Sequence, residues 1–482
     1  MRRPHPRMAR RSLATATGPM LGAMPQRQRT SGLGAGRGPH GGALPHLSGY
    51  WPMAWLAAVL VLAVLVVRAV ELWAPLAAIR PAILVVVGVG FLFVVKSDRA
   101  VIRSALRDPQ MRLVVAYALW AVVTTPFALY RRAAFDALVV FPFAIFITLA
   151  TLLVAPTRRN LDRVMVGFLA AVGGYGFVIV GRSLGGVRLT TGGMYDPNDL
   201  AAMIAMTLPI GLHYVLRAPR LRWRLAAAFA SGVFLVVIAQ TSSRGGILAV
   251  LAGIIVFALG QRWTRTMWLA PFLAVGMVVF WARAPQSFRD RAISILSYEE
   301  DYNMTSTVGR KEIWKRGIQH MMNHPITGVG LENFAEAEGL SFQEEGFVAK
   351  WFTAHNAYIQ AGAELGIPGG LILLSMLWLA GRRAFSLWRP RSALHHPGLF
   401  AALAAFCTSA FFLSHAYAYL LFGLLALIAF ADRVAHATSA PIPQMSPSRL
   451  PGTTQSIIVR GPRRGQAQSR ARGARPGGGA GS

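Results

Sequence analysis

Apolar residues in this chain run in long unbroken blocks, separated by short clusters of Arg and Pro, instead of alternating or recurring on one helical face. A block of about 20 residues spans the ~30 Å hydrocarbon core of a bilayer at the helix rise of about 1.5 Å per residue. Twelve blocks near this length lie at 53–73, 77–95, 113–129, 137–155, 164–181, 199–216, 224–241, 245–260, 266–282, 356–380, 398–415 and 416–431. The last two almost touch, so their division is the least sharply drawn. The pattern predicts an all-α polytopic membrane protein of about twelve transmembrane helices.

Composition strengthens this reading. The 482 residues are 54% hydrophobic and only 14% charged, and the mean hydropathy of +0.46 lies outside the range of soluble globular chains. The net charge of +30 would otherwise suggest nucleic acid; in a chain so dominated by apolar blocks we expect no nucleic-acid partner. Sixteen of the 49 basic residues sit in two stretches, 1–50 and 433–482, that carry no acid and are rich in Gly, Pro and Ser. Such stretches have too little apolar surface to offset the entropy of ordering, and we expect disordered basic tails, with anionic membrane lipids as their one suggested contact. The Arg10-Arg11 pair lacks a following apolar run, which argues against a cleaved export signal. A single cysteine, Cys407, excludes a disulfide framework and any Cys-based metal site.

Loop charge orients the blocks. Loops after blocks 2, 4, 6, 8 and 10 hold eighteen Lys and Arg, whereas the alternating short loops hold Arg80, Arg131, Arg132, Arg182, Arg188 and Arg244. The positive-inside rule therefore puts both tails and the basic loops in the cytoplasm. The segment 283–355 then lies outside as one large periplasmic loop, with ten of the nineteen acids of the chain. Within it, VGRKEIWKRGIQHMMNHP reads as a helix ending before Pro325, with Trp314, Ile318 and Met321 on one apolar face and Arg310 one turn ahead of Trp314. Such a helix suits either the outer membrane interface or the core of the loop itself.

Soluble-enzyme signatures are missing: there is no Walker loop, dinucleotide fingerprint, Cys/His metal spacing or nucleophile elbow. The Gly-Val-Gly at 328–330 reads as a loop leaving a helix, and His395-His396 falls in a basic inner loop with no assigned role. Outside, polar residues stand where a membrane makes them costly. Arg244 occupies the tight turn TSSRGG between blocks 7 and 8, where it needs an anion, whether substrate or lipid phosphate. Arg68 and Glu71 are expected to pair with each other. Arg188 precedes LTTGGMYDPNDLA, in which Asp196, Asn198 and Asp199 read as a turn and helix cap. Arg188, Arg244 and Arg310 together would suit a diphosphate, since a guanidinium forks onto two oxygens and keeps its proton. His355 opens block 10; a neutral imidazole there takes a proton from a hydroxyl, or else caps the helix. Glu364, two turns further on, either binds an outer Arg or buttresses the helix. With no second membrane carboxylate, a paired-carboxylate glycosidase mechanism has little support.

SSRGG at 242–246, GRKEIWKRGIQHMMNHPITGVGLENF at 309–334, AHNAYIQAGAELGIPGG at 354–370 and MYDPNDLA at 194–201, grouped around one outer loop, resemble the O-antigen ligase and Wzy-like polymerase superfamily. The likeness covers about 180–380, and the span layout extends it to a domain over 51–432. The resemblance implies a GT-C-type membrane glycosyltransferase in the bacterial inner membrane. Its donor would be an undecaprenyl-diphosphate-linked glycan and its acceptor a hydroxyl of a second glycan or of lipid A-core, with no cofactor and no metal. Carried over by motif, Arg244 and Arg310, with Arg188 on a looser match, would bind the diphosphate, and His355 would activate the acceptor. His324 belongs to the family pattern, although a structural turn explains it. Ligase and polymerase outcomes remain open on the sequence. A transporter or flippase of a lipid-linked glycan is the rival, disfavoured by the lack of an internal repeat.

Overall fold

The computed structural model describes residues 48–68, 75, 80–182, 196–261, 278, 280–295, 309–344, 346, 348 and 351–439. The chain divides into two units, Met1–Ser48 and Gly49–Ser482, and every helix described below belongs to the second. Arg188, Glu71 and most of the 266–282 block lie outside the described residues.

Among the described residues the architecture is all-helical, without strands. Six helices are long and apolar enough to cross a membrane: Arg131–Leu152, Arg158–Arg182, Pro197–Arg217, Leu221–Thr241, Ala357–Trp388 and Tyr419–Ser439. Shorter apolar helices occupy Ala54–Val66, Pro81–Lys96, Arg244–Leu259 and Pro397–Ala410, and Pro109–Thr124 adds another. Several starts are written in the sequence. Pro81, Pro109, Pro197 and Pro397 each open a helix, where the missing N–H costs nothing and φ is already set. Asp108 caps one of them, accepting the Gln110 N–H at 2.8 Å, and it also takes two N–H groups of Arg383 at 2.9 and 3.3 Å.

Burial sorts the helices into inner and outer ones. Pro197–Arg217 and Tyr419–Ser439 are the most enclosed. Pro81–Lys96, by contrast, exposes Val87, Phe91 and Val94 along one stripe, a surface suited to lipid tails. Lipid supplies no hydrophobic drive between helices, so close approach depends on small residues. Ala205, Ala249 and Ala405 form such a contact between three helices. Arg244–Leu259 thereby packs against both Pro197–Arg217 and Pro397–Ala410.

The Ala357–Trp388 helix is kinked at Gly366, whose φ of 70° breaks the helical ladder just before Pro368. The freed carbonyls of Ala363, Glu364 and Leu365 accept from Val329 N at 2.8 Å, Gly330 N at 2.9 Å and Trp120 Nε1 at 2.8 Å. Ile367 N in turn donates to Pro325 O at 2.8 Å. The ITGVG loop is thus stitched into the kink. Any side chain at Gly328 would run into the Glu364 carbonyl, which gives the Gly-Val-Gly a packing role.

The outer helix extends over Arg310–Asn323, as the sequence predicts, but its buried face differs. Ile313, Gly317 and His320 are buried, whereas Ile318 is 47% exposed. The reason is Gly317, where an added Cβ would meet Ile359 at 2.6 Å and Phe334 at 2.9 Å. Apolar spacing alone overlooks a glycine as a contact residue. Ile313 and Phe334 join Ala354 and Ala363 in a small core that seats the helix on the start of Ala357–Trp388. A second helix, Phe334–Glu344, is held by Arg316, whose Nε donates to the wholly buried Glu338 at 2.9 Å while its Nη2 lies 2.8 Å from the same oxygen as an ion pair. His396 is buried and stacks on His213 with ring centroids 3.7 Å apart, so it is a packing residue of a histidine pair.

Candidate functional site

Four helix starts lie at one end of the bundle, and each is set by its own sequence. At Pro197 the cap is Asp196, whose Oδ1 accepts from Asn198 N at 2.7 Å and Asp199 N at 2.8 Å. At Arg244 the chain reverses almost without a loop. Ser242 ends the preceding helix in the left-handed conformation (φ 50°), and Ser243 caps the next, accepting from Gly246 N at 3.2 Å. Arg244 is consequently the first residue of its helix. Arg310 likewise opens its helix, after Gly309, which offers no side-chain cap. At the fourth start, Asn356 accepts from Tyr358 N and Ile359 N. The capping role is therefore taken by Asn356, and His355 stands free of it.

A helix N-terminus carries about half a positive charge, so an Arg at the first position concentrates positive potential there and favours an anion. The starts at Arg244 and Pro197 touch directly: a Cβ on Gly246 would meet Ala201 at 2.6 Å. Across from them, Gly245 lies against Phe412, in the 411–418 loop between Pro397–Ala410 and Tyr419–Ser439.

His355 is held by its backbone. Its φ is 47°, a left-handed conformation that is uncommon for a non-glycine residue and costs on the order of 1–3 kcal/mol. Its N–H donates to Ser414 Oγ at 2.9 Å, which keeps it there. The Thr353 hydroxyl lies 3.4 Å from the ring Nε2, at the edge of hydrogen-bond range. Burial, then the charge of Arg310, push the imidazole below its ordinary pKa, while Asp196 and Asp199 pull in the opposite direction. The charges of Arg310, Asp196 and Asp199 are thus all felt at the His355 ring. A neutral imidazole beside a permanent cation can accept a proton from a hydroxyl while the cation holds an anion.

The helix of Arg310 is pinned to this point by Trp314, whose Nε1 donates to Ala354 O at 3.1 Å. Its indole also meets the Phe411 ring edge-on, with centroids 5.1 Å apart. Glu364 is engaged by backbone donors. Its carboxylate accepts Glu332 N at 2.9 Å and Phe334 N at 3.4 Å, so of the two roles left open by the sequence it buttresses the fold. His324 ends the Arg310–Asn323 helix, and its carbonyl accepts Gly328 N at 2.9 Å, the turn that the sequence suggested. Among the described residues no group of three or more His, Cys, Asp or Glu side chains is arranged to hold a metal.

Residues 233–374 match the family model of the O-antigen ligase, Wzy_C. This stretch is similar to the O-antigen ligase family. Arg244, Arg310, His355 and Glu364 all fall within the O-antigen ligase stretch, as does the ITGVG loop. Together with the six helices long and apolar enough to cross a membrane, the match supports a membrane protein with an O-antigen ligase-type, glycosyltransferase-type function. A search of curated proteins found no match to the chain.

Two residues of the site lie outside the O-antigen ligase stretch and were not singled out as site residues by the sequence. His415 Nε2 is 2.8 Å from Asp199 Oδ1, so Asp199 pairs across the bundle while Asp196 alone supplies the cap. Ser414, beside it, holds His355. A serine and a histidine inside the apolar run FCTSAFFLSHAYAYLLF were the available signal, since polar residues inside such a run need partners.

Proposed function

We propose that the protein is a membrane glycosyltransferase that moves a glycan from an undecaprenyl-diphosphate donor to an acceptor hydroxyl at the periplasmic face of the bacterial inner membrane. Twelve spans with both termini in the cytoplasm are the topology of this reading, supported by the apolar blocks and the loop charge asymmetry. A ligase, with a lipid A-core or other glycan acceptor, is the form favoured by the outer-loop motifs.

The observation that carries the proposal is that Trp314, one turn after Arg310, donates to Ala354 O at 3.1 Å, which ties the start of the Arg310 helix to the residue before His355 inside the O-antigen ligase stretch. The Arg310 charge also lowers the pKa of the His355 ring. In the reaction, the acceptor hydroxyl gives its proton to His355 as its oxygen bonds to the anomeric carbon. The bond from that carbon to the diphosphate oxygen breaks, and the lipid diphosphate leaves with the electron pair. Direct displacement inverts the anomeric centre. Arg310 and Arg244, with Arg188, stabilise the charge building on the leaving group. A diphosphate is already a good leaving group, so with these guanidinium groups the reaction needs neither an acid nor a metal.

Incubating the purified protein with a polyprenyl-diphosphate glycan and acceptor tests this. We expect a new glycosidic bond without added nucleotide, at a rate unaffected by a metal chelator. A chelator that abolishes transfer would contradict the metal-independent part.

A further inference from the structure

Besides His355, the outer end of the bundle holds a second imidazole that the proposed reaction leaves unused. The His415 side chain is almost wholly buried, with its ring parallel to that of Phe406 at 6.3 Å between centroids. At 2.8 Å from a carboxylate oxygen, Nε2 must carry the proton and donate it. Nδ1 is buried without a hydrogen-bond partner, which leaves the pairing with Asp199 as the polar contact of this ring among the described residues. The preceding residue, Ser414, accepts the His355 N–H. One dipeptide thus fixes His355 through one side chain and Asp199 through the next.

Asp199 and Asp196 both face His355 electrostatically, opposed by Arg310. The two acids are not equivalent. Asp196 spends its charge on the backbone N–H groups of a helix start, whereas the Asp199 carboxylate has no part in the cap and is steered by His415 alone among the described contacts.

We propose that Asp199, oriented by His415, is a positioning residue for His355: a fixed carboxylate that stabilises the imidazolium formed when the acceptor hydroxyl loses its proton. This rests on the reading of His355 as the base. The proton moves from the acceptor oxygen to the His355 ring and passes to solvent as the product departs; neither Asp199 nor His415 exchanges a proton in the step. The arrangement makes the Ser414-His415 turn a functional part of the site, although it lies forty residues beyond the end of the O-antigen ligase stretch.

The test uses the full-length protein in detergent, with Asp199→Asn, His415→Gln and His415→Phe. Histidine NMR reads the protonation of His355, assigned by its loss in His355→Gln, and transfer assays read the pH profile. Asn keeps the size of Asp and an oxygen for His415 but removes the charge. In Asp199→Asn we expect His355 to protonate at a lower pH than in the wild type, the acidic limb of kcat to move down with it, and transfer to fall by about 10- to 100-fold, with KM for the donor little changed. His415→Phe behaves in the same way, whereas His415→Gln, whose amide can still donate to Asp199, retains most of the transfer. An unmoved His355 titration in Asp199→Asn overturns the proposal even if transfer falls, since a merely structural role lowers the rate without moving the titration. A wild-type protein inactive with every acceptor overturns the proposed function instead, and the titration separates that outcome from failure of the pairing.

Discussion

Trp314 donates its indole N–H to the carbonyl of Ala354 at 3.1 Å, fastening the helix that begins with Arg310 to the residue immediately before His355. Arg310 and His355 come from separate segments, and this bond ties the two segments together. Trp314→Phe keeps an aromatic ring against Phe411 but loses the N–H and part of the indole's bulk. A single hydrogen bond is worth about 1 kcal/mol, so the variant should fold and insert. Because a misplacement of about 1 Å can cost on the order of 100-fold in rate, we expect kcat for glycan transfer to fall by about 10-fold or more. Steady-state kinetics beside a thermal melt checks this.

Glu364 holds the outer segment to the membrane helix through the N–H groups of Glu332 and Phe334. Glu364→Ala strands both donors, at about 1–3 kcal/mol each, and also frees the start of the Phe334–Glu344 helix. We expect a lower melting temperature and faster proteolytic cleavage within 325–345, with transfer lost as a consequence. Glu364→Gln keeps one acceptor oxygen and should lie between wild type and Ala.

How much of this was legible in the sequence depends on where the partners lie. Blocks of apolar letters revealed the long helices because span length is a property of the chain itself. The Gly366 kink and the role of Glu364 were not legible, since their partners are backbone groups that no letter encodes. The run 398–431 reads as nearly continuous because the 411–418 loop contains neither Gly nor Pro, and Ser414 and His415 were hidden with it. Asp199 looked like a cap because Asp196-Pro197-Asn198-Asp199 offers two acids at one helix start; only its neighbour across the bundle distinguishes them. His355 and Arg310 were legible as candidates from their motifs, and the Trp314–Ala354 hydrogen bond links the segments that carry them. Arg188 lies beyond the described residues and keeps only its motif.

Arg316 and Glu338 form a buried ion pair between the two outer helices, with the guanidinium 4.7 Å above the Phe342 ring. Removing one partner leaves the other charge buried. Glu338→Ala should therefore cost about 3–5 kcal/mol, and more than the double variant Arg316→Met/Glu338→Leu, in which no charge is stranded. A double-mutant cycle on denaturant or thermal unfolding of the outer segment reads the difference.

The pH dependence has a definite sign. Burial, and then Arg310, hold the His355 imidazole below its ordinary value of 6.5, so the ring is neutral and able to accept a proton at pH 7. Transfer should persist as pH falls through 6.5 and decline only when the lowered value is crossed. Removing the Arg310 charge raises that value, so in Arg310→Gln the acidic limb should move to higher pH, alongside a loss of about 10²- to 10³-fold in rate from weaker leaving-group stabilisation. The kcat profile between pH 5 and 8 checks both effects.

The central claim is that His355 is the base for transfer from a lipid diphosphate. Its most direct test is single-turnover transfer of a radiolabelled glycan from a polyprenyl-diphosphate donor to an acceptor by purified wild type and His355→Ala, each shown to be folded. The account predicts transfer by the wild type and a loss of at least about 100-fold in the variant. Equal transfer by both proteins would contradict it.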